Sequence, residues 1–362
     1  MVLLGCLVIL VFVMTLAAFF VWAERKISAR IQDRLGPTRV GGRFGWLQSV
    51  ADGLKLLTKE DIIPAAADRV LFRIAPYLGF AAVFLLFLAL PFSDGWVAQR
   101  LNVGLFFLLA VASLEVYAVL LGGYASGSKW SLLGGMREAV QVVSYEIPLG
   151  LCAVIPVLLA GTMDLVTLAN VQAGMFWNWF LFHNQFSFIA FWVFLTCATA
   201  SINRAPFDLP EAESELVAGF MTEYSGFRWS VFMLGEYVAM FAVGGLAAIL
   251  FLGGWHGPIP LAGWLGLSAE NGFWASVIGQ FAGAVNFVLK GILIAVAIIW
   301  ARWSLPRLRI DQVMTMCLKY CLPIAAAAFI GSLFWKAAFP AGVLGIDVAR
   351  FFVPEGWMIM SH

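Results

Sequence analysis

Charge is scarce in this chain. Only 12% of its 362 residues are Asp, Glu, Lys or Arg, while 62% are hydrophobic, a balance far outside that of a soluble globular protein. The formal net charge is +1, so no basic field is offered to nucleic acid, and nucleic-acid binding is set aside. Histidine is nearly absent: His183, His256 and His362 are the three available, and none falls in an apolar run, which leaves paired axial haem ligation inside a membrane unsupported. The five cysteines, Cys6, Cys152, Cys197, Cys317 and Cys321, lie in or at the edge of apolar runs without Cys-x-x-Cys spacing or companion histidines. They read as packing residues rather than ligands, and no redox centre is expected on the chain itself. No internal repeat is evident either, so the two-halved plan of many secondary transporters has no support.

What is present is long apolar runs. Val2 to Trp22 is uncharged and long enough to cross a bilayer core of about 30 Å. It lacks the basic n-region of a signal peptide, and charge follows it instead, so it reads as a retained first span with its N-terminus outside. Further runs lie at 74–92, 102–125, 139–160, 186–203, 229–253, 277–301 and 317–339. Such segments must be helical, because lipid-exposed strands leave backbone groups without partners unless a barrel closes, and barrel strands are half this length. The expected fold is all-α: a polytopic membrane protein with eight transmembrane helices forming a single transmembrane domain over 1–362. Pro148 and Pro156 in the fourth run, and Gly244-Gly245 in the sixth, imply kinks or close helix contacts.

The loops set the orientation. The first, Glu24 to Arg69, holds nine Lys or Arg residues, and Lys129, Arg137, Arg204, Arg228, Arg302, Arg307 and Arg309 follow the third, fifth and seventh runs. The intervening loops hold only Arg100, which places the charged loops, 24–70 and 204–228 among them, on the cytoplasmic side. Within the first, Trp46, Leu47, Val50, Leu54 and Leu57 recur at helical spacing opposite Gln48, Asp52, Lys55 and Lys59. That pattern predicts an amphipathic interfacial helix. The segment 161–185, rich in aromatics such as Phe176, Trp177, Trp179 and Phe180, is assigned only a place at the membrane interface.

Carboxylates gather in one stretch. Asn203 to Arg228 carries Asp208, Glu211, Glu213, Glu215 and Glu223 between two apolar runs, with Pro206 and Pro210 stiffening its entry. It reads either as a solvated loop with a capped helix from Pro210 onward or as the mouth of a membrane function. Metal binding there is disfavoured: Glu211, Glu213 and Glu215 are two apart, point to opposite sides of a helix, and cannot converge on one ion. Glu115, Glu146, Glu236 and Lys290 fall inside predicted spans, where a charge costs at least ~2.5 kcal/mol, so they should face an interior cavity or one another. The three glutamates lie roughly 10 to 16 Å from the cytoplasmic ends at about 1.5 Å per residue, with Lys290 near mid-span. Together they suggest a polar track from the acidic loop toward the midplane. The plainer alternative is a set of buried ion pairs, although one lysine leaves two of three carboxylates unpaired and able to hold protons near neutral pH.

Several motifs then coincide: Ala23-Glu24-Arg25-Lys26 through Gln32-Asp33-Arg34-Leu35-Gly36-Pro37, Leu54 to Asp61, Ser144-Tyr145-Glu146, Asn203 to Glu211, and Arg302 to Asp311. With these the chain resembles, nearly end to end, the H-subunit family of proton-pumping NADH:quinone oxidoreductase, respiratory complex I, equivalent to mitochondrial subunit 1. The resemblance implies a subunit at the heel of the membrane arm, in a bacterial plasma or mitochondrial inner membrane. Its partners would be lipid, other membrane-arm subunits and the quinone-proximal peripheral arm. Quinone would be the substrate, with flavin and iron–sulfur centres on partner subunits and no metal on this chain. It further implies quinone-binding roles for Glu24, Arg25, Lys55, Arg204, Asp208, Phe220 and Arg302. A proton path would run through Glu115, Glu146, Glu211, Glu213, Glu215, Glu223, Glu236 and Lys290. The membrane subunit of a related membrane-bound hydrogenase, a stand-alone proton-coupled transporter and a purely structural anchor are the competing readings.

Overall fold

The computed structural model describes residues 2–211, 213–259 and 272–339, apart from the side chains of 2–4, 213 and 214. His362 therefore lies outside the described residues, as does the side chain of Glu213. Regular structure among the described residues is helical. The longer elements are α1 (Val2–Ile31), α2 (Gln48–Thr58), α3 (Arg69–Ala89), α4 (Gly104–Ala125) and α5 (Lys129–Ala160). Short helices α6 (Leu165–Val171) and α7 (Phe180–His183) lead to α8 (Gln185–Ser201), and α9 (Glu213–Leu216) leads to α10 (Gly226–Phe251) and α11 (Phe273–Ser304). The last span is composite: α12 (Ile310–Met314), a π-helical stretch over Thr315–Cys321, and α13 (Leu322–Ala338).

Seven of these segments are long and apolar enough to cross a membrane, and α8, at 17 residues, is a shorter apolar helix. The chain is a polytopic membrane protein whose regular structure, among the described residues, is helical throughout. Several helices begin before the apolar runs do, α5 by ten residues, at Lys129 rather than 139. Polar residues end an apolar run, but a helix supplies its own backbone partners and continues through them.

Local chemistry sets the ends. Asp68 accepts from the N–H groups of Val70 and Leu71 at the start of α3, Asp164 from Val166 at α6, and Asn184 from Ser187 at α8, satisfying donors that no helical carbonyl can reach. Gly161, at φ 78°, closes α5 in the left-handed conformation.

Helix α10 is the axis of the bundle. Of its most apolar window 89% is buried, against 28% to 44% for the other spans, and it packs against α1, α3, α8 and α11. Its contact with α11 is close because both sides lack side chains. A Cβ at Gly244 would lie 2.9 Å from the Gly291 carbonyl oxygen, and one at Gly291 would lie 2.6 Å from the Phe241 ring. The Gly244-Gly245 pair thus serves helix approach. The 161–185 segment is pinned to the bundle. Gln172, fully buried, donates to the Leu168 and Ile249 carbonyls and accepts from the Phe180 and Gly253 N–H groups.

Gly291→Leu should overpack the α10–α11 contact and destabilise the protein by about 1 to 3 kcal/mol. The check is the thermal midpoint of the purified assembly; Gly150→Leu, at a position with nothing near its Cβ, should leave it almost unchanged.

Candidate functional site

The C-terminal turns of α1 carry Glu24 into the protein, where it is 5% exposed. Two guanidinium groups close on it: Arg302, at the end of α11, donates to Oε1 at 2.5 Å, and Arg204, just after α8, donates to Oε2 at 3.3 Å. Arg204 also faces Glu236 of α10, with Nη2 to Oε2 at 3.6 Å, and lies over the Tyr237 ring at 4.3 Å. Burial alone would favour the neutral form of Arg204, but Glu24, Tyr237 and Glu236 outweigh it and keep the charge in place. One buried cation thus joins α1, the acidic loop, α10 and, through Glu24, α11.

The acidic loop folds inward. Asp208 is buried and accepts from Arg307 at 2.8 Å. Burial and the neighbouring Glu211 push its carboxyl up to about 7 against the pull of Arg307 and Arg302. Glu211 is raised well above the ordinary carboxylate range, first by burial and then by the neighbouring Glu236. Its Oε1 is enclosed with no donor of its own. The backbone bends sharply here. Asn203 and Val217 take positive φ values of 51° and 67°, and the Val217 conformation is strained for a β-branched residue. A Cβ on Gly219 would overlap the Pro210 carbonyl oxygen, so only glycine permits that crossing.

Deeper in, the glutamates form a series. Glu138 of α5 is 1% exposed and lies close enough to Glu211, Glu115 and Asn203 to interact with each. A cavity of ≈ 10 Å³ lies between Glu236 and Glu115 and is lined also by Asn203 and Phe220, room for about one water molecule. A second cavity of ≈ 290 Å³ extends from Glu115 past Ser113, Tyr145 and Ser201 to Glu146, otherwise between apolar side chains. Ser113 donates to Glu146 at 2.6 Å. Glu115 borders both cavities.

Of the expected quinone-binding residues, Glu24, Arg204, Asp208 and Arg302 come together in this network. Phe220 is buried edge-on to Phe232 and lines the smaller cavity. Arg25 and Lys55 lie apart on the exposed side. Arg25 pairs with Asp52 at 2.6 Å, and the same side carries the Trp22–Trp46 stack and a Ser49 hydrogen bond to the Ala18 carbonyl, all tying α2 to α1. Helix α2 buries none of its residues and leaves Val50, Leu54 and Leu57 exposed, as is Trp46 just before it.

Among the expected proton-path residues, Glu211, Glu236, Glu115 and Glu146 belong to the series above. Glu215 pairs with Arg137 at 2.5 Å near the surface, and Glu223 is half-buried. Lys290 is elsewhere. Its ammonium donates to the carbonyls of Leu252, Gly254 and His256 at 2.5, 3.0 and 2.5 Å and sits 4.3 Å above the Trp179 ring. These carbonyls follow the end of α10 opposite Glu236, so the lysine does not adjoin the carboxylates. One turn away, Asn286 donates to the Trp255 carbonyl, and burial beside Lys290 holds His256 at about 4, hence neutral at pH 7.

Sequence reasoning missed Glu138 because it lies before the apolar run. Its signal is the spacing of Ser131, Gly134, Glu138, Gln141 and Tyr145, one helical face that is buried throughout. Among the described residues no group of three or more His, Cys, Asp or Glu side chains is arranged to hold a metal ion.

A polytopic helical bundle that buries arginine-bracketed carboxylates beside internal cavities defines a membrane protein with a charged interior. Comparison with known proteins makes this specific. The chain matches the NADH dehydrogenase family over residues 4–333. It is 43% identical over 340 residues to the NADH-quinone oxidoreductase H subunit of Anaeromyxobacter dehalogenans (strain 2CP-C), covering 91% of this chain and 80% of that one. With its counterpart in Geobacillus kaustophilus (strain HTA426) it shares 46% identity over 338 residues, covering 93% and 94%, and with that of Geobacillus thermodenitrificans (strain NG80-2) 47% over 339, covering 92% and 94%. The chain belongs to this family, that of the NADH-quinone oxidoreductase H subunit, a membrane component of complex I.

Two outcomes are expected. Because the Asp208 carboxyl titrates at about 7, it is charged above that pH and loses its charge, with the ionic part of its bond to Arg307, as pH falls through it. The pH–rate profile of quinone reduction should show this transition, and Asp208→Asn should abolish it. Lys290→Met strands three carbonyls at about 1 kcal/mol or more each. It should lower the thermal midpoint of the assembled complex.

Proposed function

We propose that this chain forms the quinone chamber of a proton-translocating NADH:quinone oxidoreductase and links quinone reduction to proton movement. In this reading α8 also crosses the membrane and brings the spans to eight, the N-terminus lies outside, and the loops 24–70 and 204–228 are cytoplasmic, within one transmembrane domain over 1–362. Helix α2 lies along the interface, its apolar row toward lipid. The membrane is the bacterial plasma membrane, consistent with the bacterial relatives. The peripheral arm, carrying flavin and iron–sulfur centres, docks at the cytoplasmic loops, and other membrane-arm subunits adjoin the bundle.

Quinone supplies the redox chemistry, its reduction consuming two protons. The chain's own residues then act in two groups. Arg25 and Lys55, at the α1–α2 junction, guide an amphipathic molecule from lipid, while Glu24, Arg204, Arg302 and Asp208, with Phe220 behind them, set the charge facing its head. Negative charge developing there draws on Arg204 and Arg302, loosening their hold on Glu24 and Glu236. Like charges in low dielectric raise one another's affinity for protons. A change at Asp208 or Glu211 is therefore felt at Glu236 and Glu138, then at Glu115 and Glu146. Glu213, Glu215 and Glu223 supply protons from the loop. Lys290 stands at the far end of α10, where it extends the path beyond the carboxylate series.

The observation that carries this reading is Glu115, which borders both cavities between Glu236 and Glu146. Glu236→Gln and Glu146→Gln should each lose most proton transport in reconstituted vesicles; undiminished transport in both would overturn the path. Arg25→Ala should raise KM for a long-tailed quinone about tenfold, equivalent to ~1.4 kcal/mol, and an unchanged KM would remove Arg25 from the entry.

A further inference from the structure

The larger cavity, ≈ 290 Å³ in volume, has walls from α3, α4, α5, α8 and α10 that are mostly apolar, Leu90, Phe194 and Leu246 among them. An engineered apolar cavity of about 150 Å³ takes up benzene, so this one has room for a phenyl ring with a short alkyl chain. It opens sideways. Phe106 of α4 and Glu146 of α5 line it and are also exposed on the outside of the bundle. Gly150, one turn beyond Glu146, lines it too, and a Cβ there would meet nothing within 4 Å. The polar groups of the cavity share one character. Glu115, Glu146, Ser113, Ser201 and Tyr145 line it, and no lysine, arginine or histidine among the described residues does. Ser113 donates its hydroxyl proton to Glu146 at 2.6 Å and Ser201 donates to the Ala198 carbonyl at 2.9 Å, so both protons are engaged. Glu146 has no ion-pair partner among the described residues. The space is therefore rich in acceptors, poor in donors and otherwise apolar, and a carboxylate held there without a counter-charge favours a cation brought from outside.

We propose that this cavity is a binding site for a lipophilic primary amine that enters from the bilayer between α4 and α5. The ammonium, the ordinary form of such an amine at pH 7, donates to the Glu146 carboxylate. The ring and chain fill the apolar space toward α8 and α10. The site is separate from the Glu24–Arg204–Arg302 network, where cations already bracket the carboxylate. A carboxylate of the same shape is repelled by Glu115 and Glu146, and an alcohol of the same shape gains the apolar contact without the ion pair. Recognition rests on the Glu146 charge and the shape of the cavity, so it holds whether or not Glu146 passes protons.

The test photolyses 4-phenylbutylamine carrying a ring diazirine with the whole complex in its native membranes, in the absence of turnover. Peptide mapping should place the label on α4 between Phe106 and Glu115 or on α5 between Val142 and Gly150. Unlabelled 4-phenylbutylamine should displace it at a concentration about tenfold below that needed of 4-phenylbutanol, as a hydrogen bond to a charged group implies, and 4-phenylbutyrate should not displace it. Glu146→Gln should keep the label and lose the preference for amine over alcohol. Gly150→Leu, whose fold is expected to stay stable, should cut labelling about tenfold by filling the mouth of the cavity. Label absent from both segments would overturn the proposal, as would equal displacement by amine and alcohol, or undiminished labelling in Gly150→Leu. Because no quinone is reduced, a failure here leaves the proton path standing, and undiminished proton transport in Glu146→Gln leaves the amine site standing.

Discussion

The arrangement depends on one buried guanidinium. Arg204 is 3% exposed, with Glu24 on one side, Glu236 on another and the Tyr237 ring beneath it. Removing one partner from such a group typically costs about 3 to 5 kcal/mol, because a charge is then left without compensation in low dielectric. The geometry is therefore held, but the balance is not rigid. Two carboxylates share Arg204, and Glu24 shares itself between Arg204 and Arg302. A change of charge at any member redistributes the bonds among the others, and the members come from α1, the acidic loop, α10 and α11. Charge at the loop is thus mechanically and electrostatically continuous with charge inside the bundle.

The two ends of α10 do different work. At the end near the loop, Glu236 faces Arg204 and lies close to Glu211. At the other end Lys290 is satisfied by three carbonyls and an aromatic face, leaving its ammonium no donor for further partners. Between them runs the most buried helix of the bundle, packed through the glycine contact with α11.

Much of this was legible in the sequence, for a physical reason. A bilayer demands apolar runs of a set length, so the spans, the charged loops between them and the amphipathic row of α2 stood out without any structure. The intramembrane glutamates were conspicuous because charge there is costly. Glu138 escaped notice because its helix begins ten residues before its apolar run; only the helical spacing of small and polar residues marked that extension. Lys290 was visible as an oddity, but its partners are backbone carbonyls, which leave no trace in side-chain chemistry.

The proposed proton path requires carboxyl groups at the loop and in the bundle to exchange protons as one system when quinone is reduced. Infrared difference spectroscopy of the whole complex, recorded on quinone reduction, tests it most directly through the carbonyl stretch of protonated carboxyls. The wild-type difference bands should weaken in Glu211→Gln and in Glu138→Gln alike, although only the first lies on the loop. Bands unchanged in both variants, or lost in the loop variant alone, would contradict a connected path.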